Sequence, residues 1–308
     1  MTSNLTQNLT RRGVLAGGLG AGAVTLLGTP SAAQTTGTGP RITRFEQAAP
    51  FPVNAYIVEG DDGLVVVDST LTVTSSLALR AQIDATGKPL RAVLLTHAHP
   101  DHYAGLGNLT AGLDVPVISV AGVRDIALRD DAAKDALIGG MFGAEWPRNR
   151  VFPTEVVANG DTLDFGGGLT FTVQDIGPAE SFHDSLFILD GGHQHVFAGD
   201  LAYALMHPYM ADNTNSDWVR VLDRLQSDLA EDATLHVGHG RPVTPGFLQW
   251  QRDYIDIFEA RLRAQDWSDP DKASAAVSAG MRDYLPGDAL AFLMELSIRP
   301  NAERLGLL

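Results

Sequence analysis

A chain of 308 residues, 44% hydrophobic and 19% charged, is long and apolar enough for one globular domain with appended elements. Its 37 Asp and Glu outnumber 22 Lys and Arg for a formal charge of -15, which argues against nucleic acid and anionic lipid as partners. It has no cysteine, so disulfides, thiolate metal sites and a cysteine nucleophile are excluded, and any metal must rest on His, Asp and Glu.

In chain order, the first feature is a targeting segment. Arg11-Arg12 precede a glycine-rich apolar run to Gly28 and the small residues Ser31-Ala32-Ala33, a pattern that resembles a twin-arginine signal over residues 1–33. The run is too short and too diluted by glycine to cross a hydrocarbon core of about 30 Å. The expectation is therefore a periplasmic or secreted bacterial protein with no membrane anchor in its mature form. Residues 34–40 read as a loose Gly/Thr linker. Strands are expected over 54–58, 64–67 and 92–95, with a helix over 75–85 between the last two, a βαβ unit with a buried sheet. A strand over 115–120, a helix over 123–138 and strands over 169–174, 185–189, 195–198 and 235–237 follow. Residues 139–153, with Met141, Phe142 and Trp146, read as a long apolar loop, either a lid over a pocket or a segment docking its aromatics on the core. Beyond Phe247 the spacing of Trp250, Tyr254, Ile257, Phe258 and Leu262 is helical, and 270–308 holds about two more helices around Pro286.

The run His97-Ala98-His99-Pro100-Asp101-His102 carries the chemistry. It follows a buried strand directly, and open α/β sheets place ligands at the carboxyl ends of strands. Packing alone does not explain three of nine histidines within six residues. Alternate residues 97 and 99 reach one ion while Asp101 and His102 turn towards a neighbouring one.

This motif resembles that of the metallo-β-lactamase superfamily over residues 41–245, which implies an αββα sandwich; residues 246–308 are then an additional C-terminal helical extension. The resemblance implies a metal-bridging aspartate ending a later strand, matched by Asp200 in Gly199-Asp200, and a last histidine after a short strand, matched by His239 in Gly238-His239-Gly240. The chain departs from the family at the third ligand of the first metal, where a histidine commonly follows Gly-Pro-Gly. Here Gly177-Pro178-Ala179 precedes Glu180, with His183 three residues on. Glu180 holds the motif position and is preferred, with His183 the alternative. An oxygen ligand there leaves manganese or iron less excluded than in an all-histidine site. Asp68, ending the strand 64–67, is a candidate to orient a ligand histidine. Tyr203, His207 and Tyr209 are candidates for the pocket, with an oxyanion or leaving-group role secondary. His193, His195 and His236 fall on the hairpin or inside a strand and receive no chemistry.

The resemblance implies one or two Zn2+ ions activating water, with Asp101 and Asp200 the carboxylates at the reacting centre and no protein nucleophile. A small ester, lactone or amide-type substrate ranks first and a β-lactam second. Iron-dependent oxidation on the same ligands and a non-catalytic binding role are the other classes. The C-terminal helices are expected to cap the pocket or to mediate self-association.

Overall fold

The computed structural model describes residues 39–308; the expected leader (1–33) and most of the linker (34–40) lie outside the described residues. The first half begins with β1 (Arg41–Gln47), β2 (Val53–Glu59) and β3 (Leu64–Val67), then α1 (Val73–Ala85), β4 (Leu90–Leu94), the single turns α2 (Pro100–Tyr103) and α3 (Leu106–Leu109), β5 (Val117–Val120), α4 (Ala121–Phe142) and β6 (Glu155–Val157). These six strands form one sheet in sequential order, antiparallel across β1, β2 and β3 and parallel from β3 to β6. Every residue of β2 and β3 is buried. Unbroken runs such as Leu64-Val65-Val66-Val67 are what a strand covered on both faces requires.

The second half comprises β7 (Thr162–Asp164), β8 (Thr170–Gly177), β9 (Asp184–Asp190), β10 (Gln194–Tyr203), α5 (Asn215–Asp228) and β11 (Thr234–His239), followed by α6 (Leu248–Arg263), α7 (Pro270–Tyr284) and α8 (Ala291–Arg304). The second sheet runs β11-β10-β9-β8-β7, and its one parallel pair is β10 with β11. The period of two along β10 separates the layers: Phe197 joins the core it shares with Phe171 of its own sheet and Tyr56 of the facing one, while Val196 and Ala198 join the core of Trp218, Tyr254, Phe258 and Met294 under the C-terminal helices. With α1 and α4 over the first sheet and α5 to α8 over the second, the layers are αββα, as expected. The sheets are stitched where Asn54 Nδ2 and Tyr56 OH both donate to Val237 O, at 2.8 and 2.7 Å.

Two sequence expectations change. First, α4 does not stop at Ile138 but runs to Phe142, where Gly143 at φ +55° ends it. The expected loop over 139–153 is therefore a helix end, a short 3-10 turn over Gly143–Glu145 and an irregular segment from Trp146. Trp146 is buried against Leu71 and Ala104, its Nε1 donates to Asp135 at 2.6 Å, and Arg150 covers its ring at 4.0 Å. Gly139 makes room, since a Cβ there would stand 3.1 Å from the indole. Docking thus describes Trp146, whereas Met141 is 69% exposed. Second, β1, β6, β7 and α5 have no counterpart in the sequence reading. The helical spacing of Trp218, Val221, Leu222 and Leu225 was signal enough for α5.

Trp146→Ala is expected to cost about 3–5 kcal/mol in urea unfolding, the usual loss for an aromatic truncated in a closed site.

Candidate metal centre

The motif loop leaves β4 in extended conformation, so His97 and His99 project as alternate residues. His99 then caps α2 with Pro100 at its first position, and the helical turn swings Asp101 and His102 away from the direction of His97. Glu180 comes from the turn between β8 and β9, Asp200 from β10 and His239 from the last residue of β11; all three are buried.

Two nests of ligand atoms result. His97, His99, Glu180 and Asp200 form one, and Asp101, His102 and His239 the other. In the first, Glu180 Oε2 lies 3.1 Å from His99 Nδ1 and 3.9 Å from His97 Nε2. In the second, His239 Nε2 lies 3.4 Å from Asp101 Oδ2, and His102 Nε2 lies 3.8 Å from the same oxygen. Asp200 faces both: its Oδ2 is 3.8 Å from His97 Nε2 and 3.0 Å from His239 Nε2, and its Oδ1 is 3.2 Å from His102 Nε2. Two glycines permit this approach. A Cβ on Gly238 would stand 1.9 Å from Asp200 Oδ1, and one on Gly199, at φ +49°, would stand 2.5 Å from Thr96 Oγ1.

Each imidazole is held from behind. His102 Nδ1 donates to Asp68 Oδ2 at 2.9 Å, and His99 Nε2 donates to Asp212 Oδ2 at 3.2 Å. His239 Nδ1 donates to Pro52 O at 2.6 Å. His97 Nδ1 donates to Thr96 Oγ1 at 3.0 Å, whose own proton goes to Asp68 Oδ2 at 2.8 Å. The opposite nitrogens point inward. His97 Nε2, His102 Nε2 and His239 Nε2, together with Glu180 Oε2 and Asp200 Oδ1, are buried without an aligned hydrogen bond among the described residues. Contacts as short as 3.0 Å to Asp200 lie off the N–H direction and do not satisfy them. Each such group costs about 1–3 kcal/mol when left unpaired. Five of them facing one another fit a cation, and imidazole with carboxylate is a donor set for zinc, manganese or iron.

Without a cation, protons hold the cluster together. Burial works against a charged His99, but Glu180 and Asp212 outweigh it and keep this imidazole well above its ordinary pKa. Burial is likewise overcome at His102, by Asp200, Asp101 and Asp68, and at His239, pushed up to about 10 chiefly by Asp200. His97, buried beside His102, is pushed down and stays neutral. Burial raises Glu180 to about 8. Tyr203 OH lies 2.7 Å from Asp200 Oδ2 and 2.9 Å from Glu180 Oε1. One phenol proton serves one carboxylate at a time, so the hydroxyl of Tyr203 donates to Asp200 or to Glu180 in turn.

Of the residues expected from sequence, His97, His99, Asp101, His102, Glu180, Asp200 and His239 converge, with Asp68 and Tyr203 in contact with them. His183 and His207 do not. The turn after β8 points Glu180 inward, where its neighbour Ser181 binds Asp184 through backbone N–H and hydroxyl. His183 consequently faces outward, bonded to Asp175 Oδ1 at 2.8 Å and lying over Gly122. His207 bonds Tyr254 OH under the C-terminal helices. Tyr209 stands edge-on to the His99 ring at 5.2 Å. Asp212, Thr96 and Lys134, whose Nζ donates to Ala98 O at 2.7 Å within the motif, were missed. Thr96 adjoins the motif, but nothing in the sequence marks Asp212 or Lys134.

Helix-clad sheets with seven ligand-type side chains meeting at one end define a metal-binding αββα protein. The chain belongs to the metallo-beta-lactamase superfamily, whose sequence profile matches residues 48–239. It is 27% identical over 225 residues to YobT of Bacillus subtilis (strain 168), an uncharacterized protein, covering 65% of this chain and 91% of that one. Over 94 residues it is 31% identical to an (R)-specific secondary-alkylsulfatase of Pseudomonas sp, covering 29% of this chain and 14% of the sulfatase. A solved beta-lactamase domain protein from Burkholderia ambifaria shares the fold, with a TM-score of 0.64 at 18% identity, covering 90% of this chain and 91% of that one.

Two outcomes test the centre. Adding Zn2+ to the ion-free protein near pH 7 is expected to release protons, roughly one to three per chain, because a cation displaces them from imidazoles whose pKa is raised; a pH-stat titration counts them. Asp212→Ala is expected to weaken metal binding by about 10- to 100-fold in a chelator competition, with Asp212→Asn, which keeps an acceptor for His99 Nε2, falling between.

Proposed function

We propose that this protein is a metal-dependent hydrolase of small ester-type substrates. The observation that carries the reading is the pair of ligand nests with Asp200 between them, its oxygens 3.0–3.8 Å from nitrogens of both, and unpaired nitrogens and oxygens turned inward. His97, His99, Glu180 and Asp200 would hold one ion, and Asp101, His102, His239 and Asp200 a second. Divalent ions bound there supply a water acidified towards neutrality and polarise the oxygen of the bond to be broken.

The chain's own residues do the rest. Asp68, directly at His102 and through Thr96 at His97, fixes the tautomer that turns one bare nitrogen inward. Asp212 and Pro52 O do the same for His99 and His239. Tyr203, its proton held by burial and by Asp200 and Glu180, links the two carboxylates and stays a phenol. Its ring stacks on His239 at 4.7 Å and closes that side of the nest. Zinc is the first choice of metal, and Glu180 in place of a third imidazole keeps manganese and iron within range.

Among substrates, a carboxylic ester or lactone ranks first. A sulfate monoester is the second reading, supported by the partial matches to the secondary-alkylsulfatase and to a linear primary-alkylsulfatase of Pseudomonas sp, 25% identical over 189 residues and 27% of that protein's length. The chain spans only 14% of the secondary-alkylsulfatase and 27% of the linear primary-alkylsulfatase. Export through residues 1–33 belongs to the same proposal and gives a periplasmic or secreted address.

Elemental analysis followed by a panel of lactones, carboxylic esters, alkyl sulfates and β-lactams tests the reading. The expected result is one or two bound ions per chain, turnover lost by at least about 1000-fold on chelation, and recovery on adding metal back. Full turnover after verified metal removal overturns the scheme. Visible absorption from bound iron together with oxygen consumption replaces it with an oxidase.

A further inference from the structure

Three of the nine histidines lie outside the metal centre and close to one another. His195 is the second residue of β10, and His193 stands in the bend immediately before the strand. His236 stands on the neighbouring parallel strand β11, opposite Phe197. The rings of His193 and His195 are 4.7 Å apart between centroids, and those of His195 and His236 are 5.3 Å apart. His195 Nδ1 is 3.1 Å from His236 Nε2. Two nitrogens bound at about 2.1 Å to one tetrahedral ion stand about 3.4 Å apart, so the pair is within a few tenths of an ångström of ligand spacing.

We propose that His193, His195 and His236 form a second, separate site for a divalent transition metal, with an open position towards solvent. A donor set of three imidazoles selects Zn2+, Ni2+ or Cu2+ over Mg2+ or Ca2+. The site stands towards the opposite end of β10 from the metal centre: four residues lie between His195 and Asp200, about 15 Å of strand.

The two inner rings are held as ligands need to be. His236 stacks on Phe197 at 4.8 Å and 18° and meets Tyr56 edge-on at 5.0 Å, which leaves it one orientation. Burial, reinforced by His195 and His193, lowers it to about 3, and burial beside His193 lowers His195, so both rings are neutral imidazoles; a cation entering between them takes the place of the one N–H that now bonds His195 Nδ1 to His236 Nε2, and that proton moves to the other nitrogen of its ring. The third ring has the freedom to close the set. His193 is 41% exposed and is tethered by a bond from Nε2 to Thr234 Oγ1 at 2.8 Å, with Asp232 Oδ2 at 3.9 Å from Nδ1. The Gly191-Gly192 turn stands directly before it, with Gly192 at φ +86°. Turning the ring off Thr234 and towards His195 exchanges one hydrogen bond for a metal bond.

The test is equilibrium dialysis of the full chain against low-micromolar free Zn2+, with bound zinc counted by elemental analysis. Wild-type protein is expected to hold one equivalent more than His193→Ala/His195→Gln, while zinc at the metal centre, and turnover where it is found, stay at the wild-type level. His195→Gln alone is expected to weaken the extra equivalent by at least tenfold. Both substitutions spare the buried His236, and an unchanged melting temperature in metal-free buffer establishes that the variants fold. Equal zinc content in wild type and double variant overturns the proposal. Loss of the metal centre's zinc from Asp200→Asn, with the extra equivalent retained, separates this site from the centre on which the hydrolase reading rests.

Discussion

Asp200 offers one carboxylate to two sets of ligands, and much of the surrounding structure follows from bringing charge to that point and sealing it. Its oxygens face His97, His102 and His239 from three different directions, in a place buried from water. Imidazoles and carboxylates packed this tightly need either protons or cations between them, because the desolvation cost of bare charge in a closed interior is several kcal/mol per group. The raised pKa values of His99, His102, His239 and Glu180 are the protonic version of that balance. The glycines at 199 and 238 are its steric counterpart: a side chain at 238 would occupy the space of Asp200 and His102 where the two nests meet, and one at 199 would displace Thr96 and His97 from behind.

Behind the inward-facing atoms, a second set of contacts ties the ligands to the rest of the fold. Asp68, itself at φ +59° at the end of β3, accepts from Thr96 N, Thr96 Oγ1 and His102 Nδ1, so one side chain sets the geometry of the motif on both sides of His99. The support for His99 comes from much further away. The loop that carries Tyr209 and Asp212 is anchored at Met210, whose N–H donates to Ser297 Oγ at 2.7 Å and whose carbonyl accepts from Asn301 Nδ2 at 2.7 Å. Thr214 on the same loop donates to Glu180 O at 3.2 Å. Through that loop, α8 reaches two ligands of the first nest, which gives the C-terminal helices a place in the centre's architecture without any of their side chains entering it.

Glu180 marks the chemical individuality of the centre. An imidazole at this position would add a neutral ligand, whereas a carboxylate adds a negative charge and a harder donor. The fold adapts to it in two ways: His99 meets one oxygen of Glu180 and Tyr203 the other. Tyr203 thereby connects Glu180 to Asp200 and makes the two nests parts of a single hydrogen-bonded unit.

How much of this was legible beforehand depends on distance along the chain. The motif from His97 to His102 announces itself because its ligands are local, two or three residues apart, and because an apolar strand leads into it. Asp200 and His239 were readable only through the order in which they follow that motif, each next to a glycine. The choice between Glu180 and His183 was open in the sequence, since three residues of turn can face either way; the Ser181 contacts with Asp184 turn Glu180 in and His183 out. The extent of α4 differs from expectation for a similar reason: residues 139–153 read as an apolar loop, whereas the helix continues to Phe142 and Gly139 within it clears space for the distant Trp146. By itself, then, the sequence determined a mixed α/β chain with a buried βαβ unit, the absence of sulfur ligands and the residues nearest the strand end, all of which rest on short-range periodicity and composition, while the layered sandwich came from the resemblance of the motif to a family. Only the tertiary structure decided which distant groups stand behind each imidazole, that Asp212 and α8 support His99, and that His193, His195 and His236 meet at the far end of β10, because these contacts join segments separated by tens of residues whose proximity no local pattern records.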